Sequence, residues 1–146
     1  MKKIALVLSG CGFKDGSEIT EAVCTQIGLS QAGVEYQNFA PNINFQAVNH
    51  LDGSPQETRN VLAESARIAS GQVQDLAELQ PQNFEAVIFP GGFGVALHLC
   101  DWAAHGSQCS VSTDAERVIK EFHSQSKPIG AICIAPALIA RVLGNH

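Results

Sequence analysis

The 146 residues carry nine Lys and Arg against fourteen Asp and Glu, a formal charge of −5, with 45% of positions hydrophobic. That length and apolar content suffice for one domain with its own core, and the acidic balance offers no basic patch for phosphates, which sets nucleic acid and anionic membrane aside as partners. Five cysteines, an odd number with none in a CxxC pair, argue against a disulfide framework and for reduced thiols in the cytoplasm.

Lys2-Lys3, the run Ile4 to Leu8 and then Leu8-Ser9-Gly10-Cys11 imitate a short signal ending in a lipoprotein cleavage box. The apolar run is shorter than the roughly seven residues a signal core needs. It predicts instead a first strand, buried on both faces and broken at Gly10-Cys11-Gly12. Glu18 to Ala32 has apolar residues at helical spacing until Gly33, and Val34 to Phe39 reads as a second strand ending before Pro41. An irregular connection through Asn49-His50-Leu51-Asp52-Gly53 follows. Ser54-Pro55 then predicts the opening of a long helix, with Val61, Leu62, Ala66, Ile68 and Ala69 on one face and Gly71 closing it.

Ala86-Val87-Ile88-Phe89 is the most strand-like run, cut off by Pro90-Gly91-Gly92-Phe93-Gly94. A loop and short helix lead to another amphipathic helix over 113–125, with Asp114 and Glu116 in its first turn. Ile129 to Ile132 is a last strand running straight into an apolar helix, Ile134 to Leu143. Strands alternating with helices predict an α/β fold with a parallel sheet covered on both faces. No repeat, linker or low-complexity tract divides the chain, so residues 1–146 form a single domain, and no segment approaches the roughly 18 apolar residues of a membrane span. In such sheets ligands sit beyond the carboxyl ends of the strands, where the loops after Leu8, Phe89 and Ile132 meet.

Ala131-Ile132-Cys133-Ile134-Ala135 has the pattern of a nucleophile elbow, with small residues two positions either side of a cysteine at a strand-to-helix turn. A helix N-terminus behind it favours the thiolate. A buried apolar cysteine fits the local pattern equally well. In Pro90-Gly91-Gly92-Phe93-Gly94 the missing side chains let backbone amides approach an oxyanion, which the amide of Ile134 could share. Neither this run nor Gly10-Cys11-Gly12 gives GxGxxG, and no P-loop is present. Glu18 could act as a general acid or base at the same edge, although a capping box with Asp15 is the favoured local reading. His98, Cys100, His105 and Cys109 have no zinc-ligand spacing, and Trp102 and Tyr36 have no stacking companions for single-stranded nucleic acid.

The ordered set Ser9-Gly10-Cys11-Gly12, Asp15-Gly16-Ser17-Glu18-Ile19, Glu57-Thr58-Arg59-Asn60-Val61-Leu62, Pro90-Gly91-Gly92-Phe93-Gly94 and Cys133-Ile134-Ala135-Pro136-Ala137 resembles the ElbB-like branch of the DJ-1/PfpI superfamily, also described as sigma cross-reacting or enhancing-lycopene-biosynthesis proteins. The resemblance covers the whole chain. It implies a flavodoxin-like three-layer sandwich related to class I glutamine amidotransferases, a homodimer, and a catalytic pair of Cys133 and Glu18 with no cofactor or metal. Gly91, Gly92, Phe93 and Ile134, with Cys11 and Gly12 from the first loop, map onto the oxyanion and substrate positions. The implied activity is glyoxalase-like: a small aldehyde substrate, a 2-oxoaldehyde such as glyoxal or methylglyoxal, becomes a 2-hydroxy acid without glutathione, which extends to protein deglycation. Two other readings stay open, a redox-responsive binding protein with an oxidisable Cys133 and an amidotransferase-like subunit. Ile134 stands where many superfamily hydrolases place a histidine, and relatives continue past the elbow helix, so the family's C-terminal segment is expected to be missing. His50, His98, His105, His123 and His146 have no positional claim to replace that base.

Overall fold

Alternation along β1 (Lys3–Val7) sets the layering of the molecule. Ala5 and Val7 are buried towards one face of a sheet, Leu6 and the following Leu8 towards the other. A strand buried on both sides needs helices on both sides. The computed structural model, which describes residues 2–144, supplies them. In chain order they are α1 (Ile19–Gln31), β2 (Glu35–Ala40), β3 (Asn44–Val48), β4 (Pro55–Asn60), α2 (Val61–Ile68), β5 (Val73–Asp75), β6 (Ala86–Phe89), α3 (Trp102–His105), α4 (Thr113–Ser124), β7 (Ile129–Ala131) and α5 (Ala135–Leu143). Five strands form one sheet in the order β5-β2-β1-β6-β7, with every pairing parallel. This is the expected α/β, flavodoxin-like arrangement.

Helix α4 shows why these segments are helical. Ala115, Val118, Ile119 and Phe122 recur at helical spacing, and all are buried against Val7, Val87 and Phe89. Ser112 caps the start by accepting the Ala115 amide, and acidic Asp114 and Glu116 complement the N-terminal dipole. On the opposite face Ala22 of α1 and Leu62 and Ile68 of α2 cover Leu6 and Leu8. No helix among the described residues is long and apolar enough to cross a membrane.

Three strands depart from the sequence expectation: β3 and β5 form where no strand was expected, and β4 forms where a helix was. Pro55 opens a strand, not a helix: β4 pairs antiparallel with β3 in a separate two-stranded ribbon, and α2 begins only at Val61, where Asn60 accepts the Ala63 amide. Proline is tolerated at the first position of an edge strand for the same reason it is tolerated at a helix start, since neither needs its N–H.

His98, on the irregular turn after β6, ties this ribbon to the rest. It is buried, its Nε2 donates to the Asp15 carbonyl at 2.7 Å, and its ring lies 4.8 Å from that of Phe45 on β3. Burial lowers its pKa from the usual 6.5, outweighing the bond to Asp15. Because the folded value lies below the unfolded one, the unfolded chain takes up the proton first as pH falls, so stability is lost towards and below pH 6.5. Melting temperature is therefore expected to fall more between pH 7.5 and 5.5 in the wild type than in His98→Gln. Equal falls would remove His98 from the account.

Candidate active site

Parallel strands bring the loops after β1, β6 and β7 to one edge. The first loop is drawn tight by hydrogen bonds within itself: Ser17 Oγ accepts the Ser9 amide at 2.8 Å, Ser17 O accepts from Gly12 at 2.8 Å, and Gly12 O accepts from Gly16 at 2.7 Å. The loop after β6 is laced to it, since Phe93 donates to Phe13 O at 2.8 Å, Gly94 to Gly16 O at 2.9 Å, and Glu18 to Gly91 O at 2.9 Å. Gly92 has φ +100°, and a β-carbon there would strike Gly16 O and Glu18 N. Only glycine fits.

The third loop is a single sharp turn. Ile132 still donates to Phe89 O at 3.1 Å, as a strand would, and Ala135 already donates to Ile132 O at 3.0 Å. Between them Cys133 adopts φ +58°, in the left-handed region, with its side chain exposed. Cys133 shares a pocket of about 250 Å³ with Glu18, Phe13, Gly92, Phe93 and Ile134. Five of the eight expected site residues therefore line one cavity. A larger concavity, of about 750 Å³, lies between α1 and α2 over β2 and β5 and is lined by Gln26, Asn38 and Gln72 among others, with no thiol or carboxylate.

Glu18 does not complete a capping box with Asp15. It is itself the cap of α1, its Oε2 accepting the Glu21 amide at 2.7 Å, while the Asp15 carboxylate accepts the Val48 amide at 2.9 Å. Glu21 is the residue the sequence reading missed. Its Oε2 accepts the Gly91 amide at 2.7 Å, and a β-carbon on Gly91 would stand 2.5 Å from that oxygen and 2.6 Å from Cys133 Cβ. A second carboxylate thus flanks the same glycine that Cys133 packs against. The only hint was its place one helical turn after Glu18.

The amides expected at the oxyanion position differ in whether they are engaged, that of Phe93 already donating to Phe13 O. Gly91's amide is taken by Glu21, whereas those of Gly92 and Ile134 donate to no atom of the described residues. Cys11 and Gly12 lie outside the pocket. Burial pushes the Cys11 thiol up, ahead of the opposing effect of Arg67, and Gly12 packs against the His50 ring. Burial also raises Cys100, to about 11.

Among the described residues no histidine lines the cavity: His50 Nε2 accepts the Lys14 amide, His105 pairs with Asp101 at 3.0 Å, and His123 lies on α4; His146 falls outside the described residues. Among the described residues no group of His, Cys, Asp and Glu could hold a metal ion.

Two outcomes follow from this geometry. Iodoacetamide at pH 8 is expected to modify the exposed Cys133 and Cys24 ahead of Cys11 and Cys100, as read by peptide mass spectrometry. Gly91→Ala, which crowds Glu21 and Cys133 together, is expected to lower stability by about 1–3 kcal/mol in chemical denaturation and to slow labelling of Cys133.

No protein-family model matches the sequence. The chain is 52% identical over 144 residues to a human protein, "Glutamine amidotransferase-like class 1 domain-containing protein 3, mitochondrial", matching 97% of this chain and 54% of that one. It thus spans about half the length of such curated relatives. The mitochondrial relatives give the cytoplasmic expectation no support. A solved structure from Ehrlichia chaffeensis, described as an isoprenoid biosynthesis protein with an amidotransferase-like domain, superposes with a TM-score of 0.93 at 38% identity, over 98% of this chain and 69% of that one. A ThiJ/PfpI domain protein from Brachyspira murdochii, at 18% identity and a TM-score of 0.57 over 96% of this chain and 63% of its own, shares the fold.

Proposed function

The chain belongs to the glutamine amidotransferase-like class 1 family, with the DJ-1/PfpI fold, and from that premise we propose that it converts small 2-oxoaldehydes to 2-hydroxy acids with Cys133 as nucleophile and no cofactor. The observation that carries this reading is the exposed Cys133 thiol, held in a left-handed turn immediately before α5 and sharing a pocket with the Glu18 carboxyl.

In this reading the thiolate adds to the aldehyde carbon of R–CO–CHO, and the resulting alkoxide is met by the free amides of Gly92 and Ile134. The carboxylate of Glu18 then removes the hydrogen on that carbon as a proton, and an enediol forms. Returning the proton to the neighbouring carbon gives the thioester R–CHOH–CO–S–Cys133. One carbon has been oxidised and its neighbour reduced, so no external electron carrier is needed. Water cleaves the thioester, releasing the hydroxy acid and restoring the thiol. Glu21 holds the Gly91 loop in register beside Cys133 and acts as a positioning residue.

An amidotransferase-like role, suggested by the human relative's name, is the second reading. Hydrolysis of an amide needs a proton for the leaving amine, and Glu18 is the one acid among the described residues that line the pocket.

Turnover of methylglyoxal is expected to vanish in Cys133→Ser and to drop by about 10²–10⁴ in Glu18→Gln, read as D-lactate or L-lactate formed. Glu21→Gln is expected to shift the pH profile of Cys133 alkylation as well as the rate. A Cys133→Ser protein with wild-type turnover would end the proposal, and ammonia release from glutamine in place of lactate would favour the second reading.

A further inference from the structure

Two phenyl rings stand at the mouth of the Cys133 pocket with about half their surface in solvent, Phe13 at 48% and Phe93 at 51%. Adjacent exposed aromatics add little to folding, and such apolar patches mark places where something binds. Their backbones are joined by the Phe93 amide donating to Phe13 O at 2.8 Å. Phe13 is also fixed from behind, edge-on to the His50 ring at a centroid distance of 5.7 Å. His50 is held in turn, its Nε2 accepting the Lys14 amide at 3.2 Å and its Nδ1 donating to Val48 O at 3.2 Å. Ile134 forms the remaining apolar wall.

The two reactive side chains of the lining, the Cys133 thiol and the Glu18 carboxyl, are thus set among apolar walls that would contact nothing on glyoxal, which has no side group. At about 250 Å³ the cavity lies just under the roughly 300–1,000 Å³ of drug-sized sites, so it suits a molecule of one ring and a few more atoms.

We infer that the substrate carries an aromatic or branched apolar substituent, received by Phe13, Phe93 and Ile134 while its carbonyl carbon meets Cys133. The inference rests on the 2-oxoaldehyde reading for the chemistry, which is unchanged, and adds the class of side group.

Two measurements separate the layers. The first needs no turnover: labelling rates of Cys133 by N-benzyl iodoacetamide and by iodoacetamide are compared, with Cys24, exposed on α1 and outside the pocket, as the internal reference. The benzyl probe is expected to be favoured at Cys133 over Cys24 by about tenfold or more. That preference should fall at least threefold in Phe93→Ala and in Phe13→Ala, return in Phe93→Tyr, and persist in Leu51→Ala, an exposed apolar residue of the β3–β4 turn. The second measurement is kcat/KM for phenylglyoxal against methylglyoxal, expected to favour phenylglyoxal.

Aromatic labelling preference without turnover of any 2-oxoaldehyde overturns the enzymatic reading and leaves the aromatic site standing. Turnover with no preference in either assay overturns the aromatic site alone. Phenylalanine variants that alter the oligomeric state in size-exclusion chromatography, with the labelling ratio untouched, also overturn it, because the rings then serve a second copy of the chain.

Discussion

Two loops packed backbone against backbone are the constraint on which the site depends. The loop between β1 and α1 and the loop after β6 approach so closely that Gly92 presses on Gly16 O and Glu18 N, and Gly94 on Ser9 O. Any β-carbon at these places would part the loops. Three hydrogen bonds then run between them, and through these bonds Phe13, Glu18 and Phe93 are set at fixed places relative to one another. The parallel sheet brings the strand ends together, but ångström-scale placement comes from the absence of side chains where the loops meet.

The small β3–β4 ribbon, which is separate from the main sheet, supports one wall of this arrangement. Asp15, 6% exposed, is its attachment point: the carboxylate accepts the Val48 amide, the carbonyl accepts from His98, and His50 approaches the same carboxylate at 3.7 Å. A buried carboxylate is tolerated only when its oxygens are engaged in this way. The ring of His50 then props Phe13. A peripheral hairpin is thereby coupled to the shape of the pocket through one acid and two imidazoles.

How much of this could be read from residues alone follows from where burial leaves a pattern. The runs that became β1 and β6 are apolar because both faces are covered, and α4 is amphipathic because one face is, so all three announce themselves. The β4 segment Pro-Gln-Glu-Thr-Arg-Asn lies largely in solvent, leaving no alternation to read and letting the proline suggest a helix start. Strand β5 is three residues long and has no room for periodicity. Within the site, Cys133 was legible because a tight strand-to-helix turn demands small neighbours. Glu21 was not, because an acid in a first helical turn is ordinary, and nothing local says that its carboxylate reaches across to the Gly91 amide. Phe13 was equally silent, a lone aromatic in a polar loop whose partner lies 80 positions later in the chain.

The turn at Cys133 has a consequence of a different kind. An L-residue in the left-handed region costs about 1–2 kcal/mol relative to a right-handed conformation, a cost glycine escapes. Glycine at 133 would therefore relieve the backbone while deleting the thiol. Improvement of this fold by stability selection alone would drift towards the inert sequence, so laboratory evolution for heat tolerance and for activity should part company first at this one position.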